Sequence, residues 1–268
     1  MSALRQSRTQ VRVHIEKRDA REALALLPAG SISVLMTDPP YQTVDRRGGS
    51  SKLGHWFSSS LSWRQIGDVL AIARSRMRPD GVAFVMTNPD GLREAIGAMQ
   101  RAGFARVRPI TWDKVAPGLG WGLRHQTEYV LVGYLPGSRT LSGVDLVSVP
   151  AVGPNTANRY PSEKPVDLGR ELARIANIGR GDHVVDPFCG SGALLIGAAE
   201  RGARVTGYDV AAAAVKRASG RLVTSPAKAP ATARKVPKPS LVGRLTGGKP
   251  ASRNSARGAK PPTRRTGR

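Results

Sequence analysis

Between Val11 and Leu222 short apolar runs alternate with longer segments of helical apolar spacing. Few architectures accept that alternation. Strands that recur with helices between them pack as a parallel sheet covered on both faces. The strand-like runs are Val11–Ile15, Ser31–Thr37, Val82–Thr87, Ala105–Trp112, Thr127–Tyr134, His183–Phe188 and Ala203–Asp209. The run "VAFVMT" (Val82–Thr87) is apolar at nearly every position, as a strand buried on both faces must be. Helical spacing occupies Asp19–Leu27, Ser62–Met77, Pro89–Gly103, Val166–Asn177, the stretch after Gly192, and the residues before Leu222. "RPDG" (Arg78–Gly81) carries turn residues and is expected to be a turn.

Composition bounds the rest. The chain has 268 residues, and 40% of them are hydrophobic, enough for a proper core. Cys189 is the single cysteine, which excludes a disulfide framework and fits a reducing, cytoplasmic compartment. The first residues carry no apolar core of a secretory signal, and no apolar run is long enough to span a bilayer, so no membrane partner is expected. The four histidines are scattered and no metal site is expected. Net charge is +23. From Thr224 to Arg268 there are twelve basic residues and no acidic one, and removing them leaves +11 on the remainder. Such a surplus favours a polyanion, with nucleic acid first among the candidates. A solubilising tail, a ribosomal protein or a membrane-surface protein would show the same charge. The tail has almost no large apolar content and is expected to be disordered, as are residues 1–10.

Two stretches carry chemistry. In "LMTDPPY" (Leu35–Tyr41) the adjacent prolines cannot continue a strand, because each lacks an N–H. The strand must stop at Asp38. That places Asp38, Pro39, Pro40 and Tyr41 at its carboxyl end, where open α/β sheets bind ligands. In "VVDPFCGSGALL" a strand runs through a Gly-rich turn into a helix N-terminus, an arrangement that cradles ligands. Gly190, Ser191 and Gly192 allow close backbone approach. Asp186 can accept from an amine, and Asp209, at the end of the next strand, can hold ribose hydroxyls. The spacing is not the dinucleotide G-x-G-x-x-G, which argues against a hydride-transferring enzyme.

"DPPY" (Asp38–Tyr41), "YPSEKP" (Tyr160–Pro165) and "DPFCGSGA" (Asp186–Ala193), in that order, resemble the amino-methyltransferases of DNA. That family transfers a methyl group from S-adenosylmethionine to adenine N6 or cytosine N4. The motif order resembles its permuted β group, and the likeness runs from Val11 to about Leu222. The resemblance implies a Rossmann-like, circularly permuted fold with a mostly parallel seven-stranded sheet. The sheet's third strand comes first in the chain and its first and second strands come last. It implies a methyltransferase domain over residues 11–223, with a catalytic half at 11–135, a recognition or connecting loop at 136–160 and a cofactor half at 161–223. It further implies direct displacement on a flipped base, held by Asp38, Pro39, Pro40 and Tyr41. The Asp38 carboxylate and the Pro39 carbonyl each accept an amine hydrogen, and Tyr41 stacks on the base.

For the cofactor the resemblance implies Asp19, Ser162, Lys164, Asp186, Phe188, Gly190, Ser191, Gly192 and Asp209. Asp19 could equally be a helix N-cap, with Arg18 standing where the family has glycine. Lys164 could equally belong to a capped turn. Arg46, Arg47, Lys52, Trp121 and Arg124 are the candidate DNA contacts. His55, Trp56 and Phe57 share the first of their loops, and Trp121 and Arg124 could instead pair with each other. DNA is the expected partner, and dimers are frequent in the group. Asp38 leans toward adenine, since serine is frequent there in the cytosine enzymes. N4-cytosine methylation, an RNA or protein substrate, and a non-catalytic DNA-binding protein remain as alternatives.

Overall fold

A computed structural model describes residues 12–41, 60–117, 123–153 and 163–223. In chain order the elements are β1 (Val13–Lys17), α1 (Ala20–Ala25), β2 (Ile32–Thr37), α2 (Trp63–Arg76), β3 (Met77–Thr87), α3 (Leu92–Arg101), β4 (Arg106–Asp113), β5 (Thr127–Tyr134), β6 (Leu146–Ser148), α4 (Val166–Ile175), β7 (His183–Asp186), α5 (Ala193–Glu200), β8 (Arg204–Asp209) and α6 (Ala212–Val223). The strands form one sheet in the order β1-β8-β7-β2-β3-β5-β4-β6. All neighbours run parallel except β5, which is antiparallel to both β3 and β4. The late strands β7 and β8 therefore lie between β1 and β2, as the permuted order requires. The seven-stranded expectation is corrected to eight strands among the described residues.

Local sequence explains most of these elements. Ser62 and Gln65 close a reciprocal capping box at the start of α2, whose Ile66, Val69, Leu70 and Ala73 are buried. Gly103 adopts φ 94° just beyond α3, a conformation that side-chain-bearing residues resist. Every residue of β2 is buried. One apolar cluster joins Val34, Met36 and Phe84 to Leu168 and Leu172 of α4 and Leu195 of α5. The other joins Leu35, Ala83 and Val85 to α1, α2 and α3.

Two expectations fail for tertiary reasons. "RPDG" lies inside β3, where Ile32 faces Met77 but Val34 faces Val82. Arg78–Gly81 thus bulge opposite Ser33, and a bulge tolerates Pro79 because no ladder donor is needed there. Arg139 anchors the bulge by pairing with Asp80 and Asp182. The connecting loop expected at 136–160 contains β6, too short to give a periodic signal. Buried Val147 and a 2.8 Å bond from Trp112 Nε1 to the Val149 carbonyl hold it at the sheet edge.

Helices α4 and α5 cross at glycines. A Cβ on Gly197 would lie 2.5 Å from Arg170 Cα, and one on Gly169 would lie 2.6 Å from the Leu194 carbonyl oxygen. Both obstacles are backbone, so neither can be relieved by a rotamer change. Gly197→Ala is expected to lower stability by about 1–3 kcal/mol despite alanine's better helix propensity. A urea titration that shows no loss would contradict the close crossing.

Candidate active site

The carboxyl ends of β1, β8, β7 and β2 stand side by side, so four strand-ending segments share one edge of the sheet. Each contributes a carboxylate: Asp19 after β1, Asp209 on β8, Asp186 on β7 and Asp38 after β2.

The β7–α5 turn is built as the Gly-rich pattern suggests. Gly190 and Gly192 take φ 49° and 75°, which favours glycine. Gly192 is also required by packing, because a Cβ there would lie 3.0 Å from Ala218 Cβ of α6. Asp209 holds the turn: its Oδ2 accepts from Gly190 N–H at 2.9 Å and its Oδ1 from Ala211 N–H at 2.8 Å. Burial raises the Asp209 carboxyl against these backbone donors. Asp186 is fully buried. Its Oδ1 accepts from Thr37 Oγ1 at 2.6 Å and from Phe188 N–H at 3.0 Å. Burial, with the charges of Asp38 and Asp209 nearby, pushes its pKa up to about 7. Cys189 is buried, and its thiol is pushed well up by burial and by Asp186 and Asp209, so it is no thiolate nucleophile.

Asp19 is the N-cap of α1. It is exposed and accepts from Arg21 N–H at 2.8 Å, and the neighbouring Arg18 N–H donates to the Asp209 carbonyl at 3.1 Å. The cap reading of Asp19 is therefore realised, and it leaves the side chain beside the β8 end.

At the end of β2 the chain turns at once. Tyr41 N–H donates to the Pro39 carbonyl at 2.9 Å, so one lone pair of that carbonyl is already engaged. Tyr41 is pinned by Leu61 N–H, which donates to the Pro40 carbonyl at 2.7 Å. One face of the Tyr41 ring stacks on Trp63, with centroids 5.6 Å apart and planes 15° apart. The opposite face of Tyr41 carries no stacked ring among the described residues. Sequence does not single out Trp63, which reads there as the first residue of an amphipathic helix. The hydroxyl of Tyr41 is pushed far up by burial and stays protonated.

Lys164 meets two carboxylates. Expected beside the cofactor, its ammonium sits 2.8 Å from Asp38 Oδ2 and 3.5 Å from Glu128 Oε2. Lys114 reaches Glu128 Oε1 at 3.3 Å. An alternating chain, Asp38–Lys164–Glu128–Lys114, thus runs from β2 to the β4–β5 hairpin. Burial works against the Lys164 charge, yet the Asp38 and Glu128 carboxylates hold it firmly protonated. Burial raises the Asp38 carboxyl, and Lys164 pulls it part of the way back. Asp38 Oδ1 is buried and has no hydrogen-bond partner among the described residues. Glu163, beside Lys164, is held by Arg217 and Arg221 of α6, and Arg221 also donates to Ser191 in the Gly-rich turn.

Arg124 is exposed ahead of β5. Arg46, Arg47, Lys52, His55, Trp56, Phe57, Trp121 and Ser162 lie outside the described residues, as do residues 1–10 and the basic tail. No group of three or more histidine, cysteine or acidic side chains among the described residues could hold a metal ion, and no described helix is long and apolar enough to cross a membrane.

The residues present suit a nucleoside-bearing, cationic cofactor. Four carboxylates converge on one edge, two glycines open the β7–α5 turn, and an unpartnered buried carboxylate oxygen stands next to it. Comparison with known proteins agrees. Residues 163–240 match a family model, UPF0020, an RMKL-like methyltransferase domain. Type II methyltransferase M2.DpnII of Streptococcus pneumoniae is 25% identical over 236 residues, 76% of this chain and 87% of that protein. The DNA modification methylase TTHA0409 of Thermus thermophilus, solved with S-adenosyl-L-methionine, superposes with a TM-score of 0.59 at 22% identity, over 80% of this chain and 94% of that one. The cytosine-N4-specific PvuII DNA methyltransferase gives a TM-score of 0.63 at 16% identity, over 80% and 87%. The fold is that of the S-adenosylmethionine-dependent methyltransferases.

Proposed function

We infer that this chain belongs to the S-adenosylmethionine-dependent DNA methyltransferases and that it methylates the exocyclic N6 of adenine in DNA. The observation that carries the reading is Asp38: a carboxylate at the end of β2 with a buried Oδ1 and no partner for it among the described residues. It stands two residues beyond Met36, and β2 pairs with β7, which ends in the cofactor-side Asp186.

S-Adenosylmethionine, when bound, supplies an electrophilic methyl group; Asp186, Phe188, Gly190, Ser191, Gly192 and Asp209 are the residues that would hold it, with Asp19 beside them. The exocyclic amine of a base is a poor nucleophile, because its lone pair is delocalised into the ring. Asp38 Oδ1 accepts one amine hydrogen and the free lone pair of the Pro39 carbonyl accepts the other. The nitrogen is thereby drawn toward a pyramidal shape. The carboxylate also stabilises the positive charge that grows on nitrogen, and it accepts the proton shed there. No side chain needs to form a covalent bond, which agrees with the unreactive Cys189. The face of Tyr41 turned away from Trp63 offers a platform for a base taken out of the duplex, worth about 1–3 kcal/mol per stacked base.

Digestion of treated, unmethylated DNA to nucleosides, followed by mass spectrometry, tests this. N6-methyladenine supports the reading. N4-methylcytosine keeps the chemistry and changes the base, the alternative raised by the cytosine-N4-specific structural neighbour. Methylation of neither base refutes it.

The tail supports a separate expectation. Deleting residues 225–268 removes twelve positive charges. DNA affinity at low salt should fall, and the slope of log affinity against log salt should become shallower. An unchanged slope in a fluorescence titration would refute a DNA-binding role for the tail.

A further inference from the structure

We propose that Lys164 is a positioning residue for Asp38: it grips Oδ2 so that the carboxylate stays ionised and presents Oδ1 to the target amine, and Glu128 and Lys114 hold it there. The proposal rests on the reading of Asp38 above and goes beyond it by assigning the two carboxylate oxygens different tasks.

The geometry carries the assignment. Oδ2 is taken by Lys164 at 2.8 Å, while Oδ1 is buried and without a partner among the described residues. A carboxylate held by one oxygen cannot rotate without breaking that contact. Lys164 is also tied to Glu128, 3.5 Å away, and Glu128 is itself held by Lys114. The side chains of Lys164, Lys114 and Glu128 are all largely buried, so water screens this chain of charges weakly. Two lysines face two carboxylates, and the set is neutral overall. Removing Lys164 would leave Asp38 buried, with the Glu128 carboxylate near it and its one ionic partner among the described residues gone. Under those conditions the carboxyl protonates, and a protonated Asp38 is a poor hydrogen acceptor for the amine.

Among the described residues the titratable groups near Asp38 are Lys164 ahead of α4, Glu128 on β5, Asp186 on β7, and Tyr41 beyond its own strand, whose hydroxyl stays protonated. Of these, Lys164 alone is cationic. It is the group that sets the acid limb of the reaction.

The experiment compares the full-length protein with Lys164→Met, Lys164→Arg and Glu128→Gln. Single-turnover methylation is followed from about pH 6 to 9, and affinity for labelled S-adenosylmethionine is measured by equilibrium dialysis. Lys164→Met is expected to lower the saturated rate near neutral pH by about 30–100-fold and to move the acid limb upward. Cofactor affinity should stay within about three-fold, and Lys164→Arg should recover much of the rate because it keeps the charge. A loss of cofactor affinity with the saturated rate and acid limb unchanged would overturn the proposal and return Lys164 to the cofactor. Carbon-13 NMR of labelled aspartate carboxyls, with Asp38→Asn for assignment, gives a readout that needs no turnover. An Asp38 titration that rises in Lys164→Met supports the coupling even if no DNA is methylated, a result that would sink the functional reading alone. An unmoved titration overturns the proposal even in an active enzyme. If Lys164→Met fails to fold, Lys164→Arg and Glu128→Gln carry the same comparison: the first should titrate like the native protein and the second should shift.

Discussion

Asp38→Ala is expected to reduce methyl transfer by about 10²–10⁴-fold while leaving cofactor binding nearly intact. In the proposed mechanism this carboxylate meets the target amine, whereas the Gly-rich turn is organised by other residues, chiefly Asp209. Loss of the side chain removes the amine acceptor and the charge that stabilises the developing cation. It also leaves Lys164 with Glu128 as its one ionic partner among the described residues. Asp38→Asn separates the two effects. Its carbonyl oxygen can still accept one hydrogen, but it carries no charge and cannot take a proton. A rate close to that of Asp38→Ala would locate the contribution in charge; a rate much closer to the native one would locate it in geometry. Single-turnover rates at saturating cofactor and DNA are the measurement. A native rate in Asp38→Ala would remove the proposed mechanism.

Asp186→Asn is expected to make the cofactor-free protein more stable at alkaline pH and to weaken its hold on the cofactor. The Asp186 carboxyl is buried and its pKa is pushed up to about 7, against about 3.9 in an unfolded chain. Between those values the native state keeps a proton that the unfolded state has lost. Stability therefore falls as pH rises through that window and levels off above about pH 7. The full difference amounts to about 4 kcal/mol, an order-of-magnitude figure. Asparagine keeps an Oδ1 acceptor for Thr37 Oγ1 and Phe188 N–H and has no charge to bury. Thermal melts should show the variant ahead by about 2–4 kcal/mol near pH 8, with the gap closing toward pH 4. A gap that is absent near pH 8, or that widens toward acid, would contradict the burial of this carboxyl. A buried acid kept at this cost in the free protein fits a site whose cofactor is cationic.

The parts legible in the sequence are those governed by neighbours in the chain. Alternating apolar runs and amphipathic segments specify an α/β sheet, because burial on one face imposes a period of two or of 3.6 on nearby residues. Pro39 and Pro40 end β2 by covalent geometry alone, so the place of Asp38 follows without any tertiary information. The same holds for the β7 strand, its Gly-rich turn and α5, and for Asp19 as a cap. The motif order announced the permutation, and the sheet order β1-β8-β7-β2 agrees with it.

Other features had no local signature. β6 is three residues long and owes its place to Val147 and to Trp112, far away in sequence. Residues Arg78–Gly81 read as a turn because their chemistry is that of a turn, and only pairing with β2 on both sides makes them a bulge within a strand. Trp63 opens an amphipathic helix in sequence and becomes the back wall of Tyr41 in space. Lys164 lies next to a cofactor motif in the chain, yet it meets Asp38, brought from the far end of the fold, and Glu128 of β5. Sequence by itself determined the sheet, the ends of its strands and the residue types displayed there, since backbone geometry and short-range periodicity decide these. Tertiary structure alone decided which charge faces which, because a long side chain at a strand end selects its partner by the distance and burial that packing creates, and neither quantity is written in the local chain.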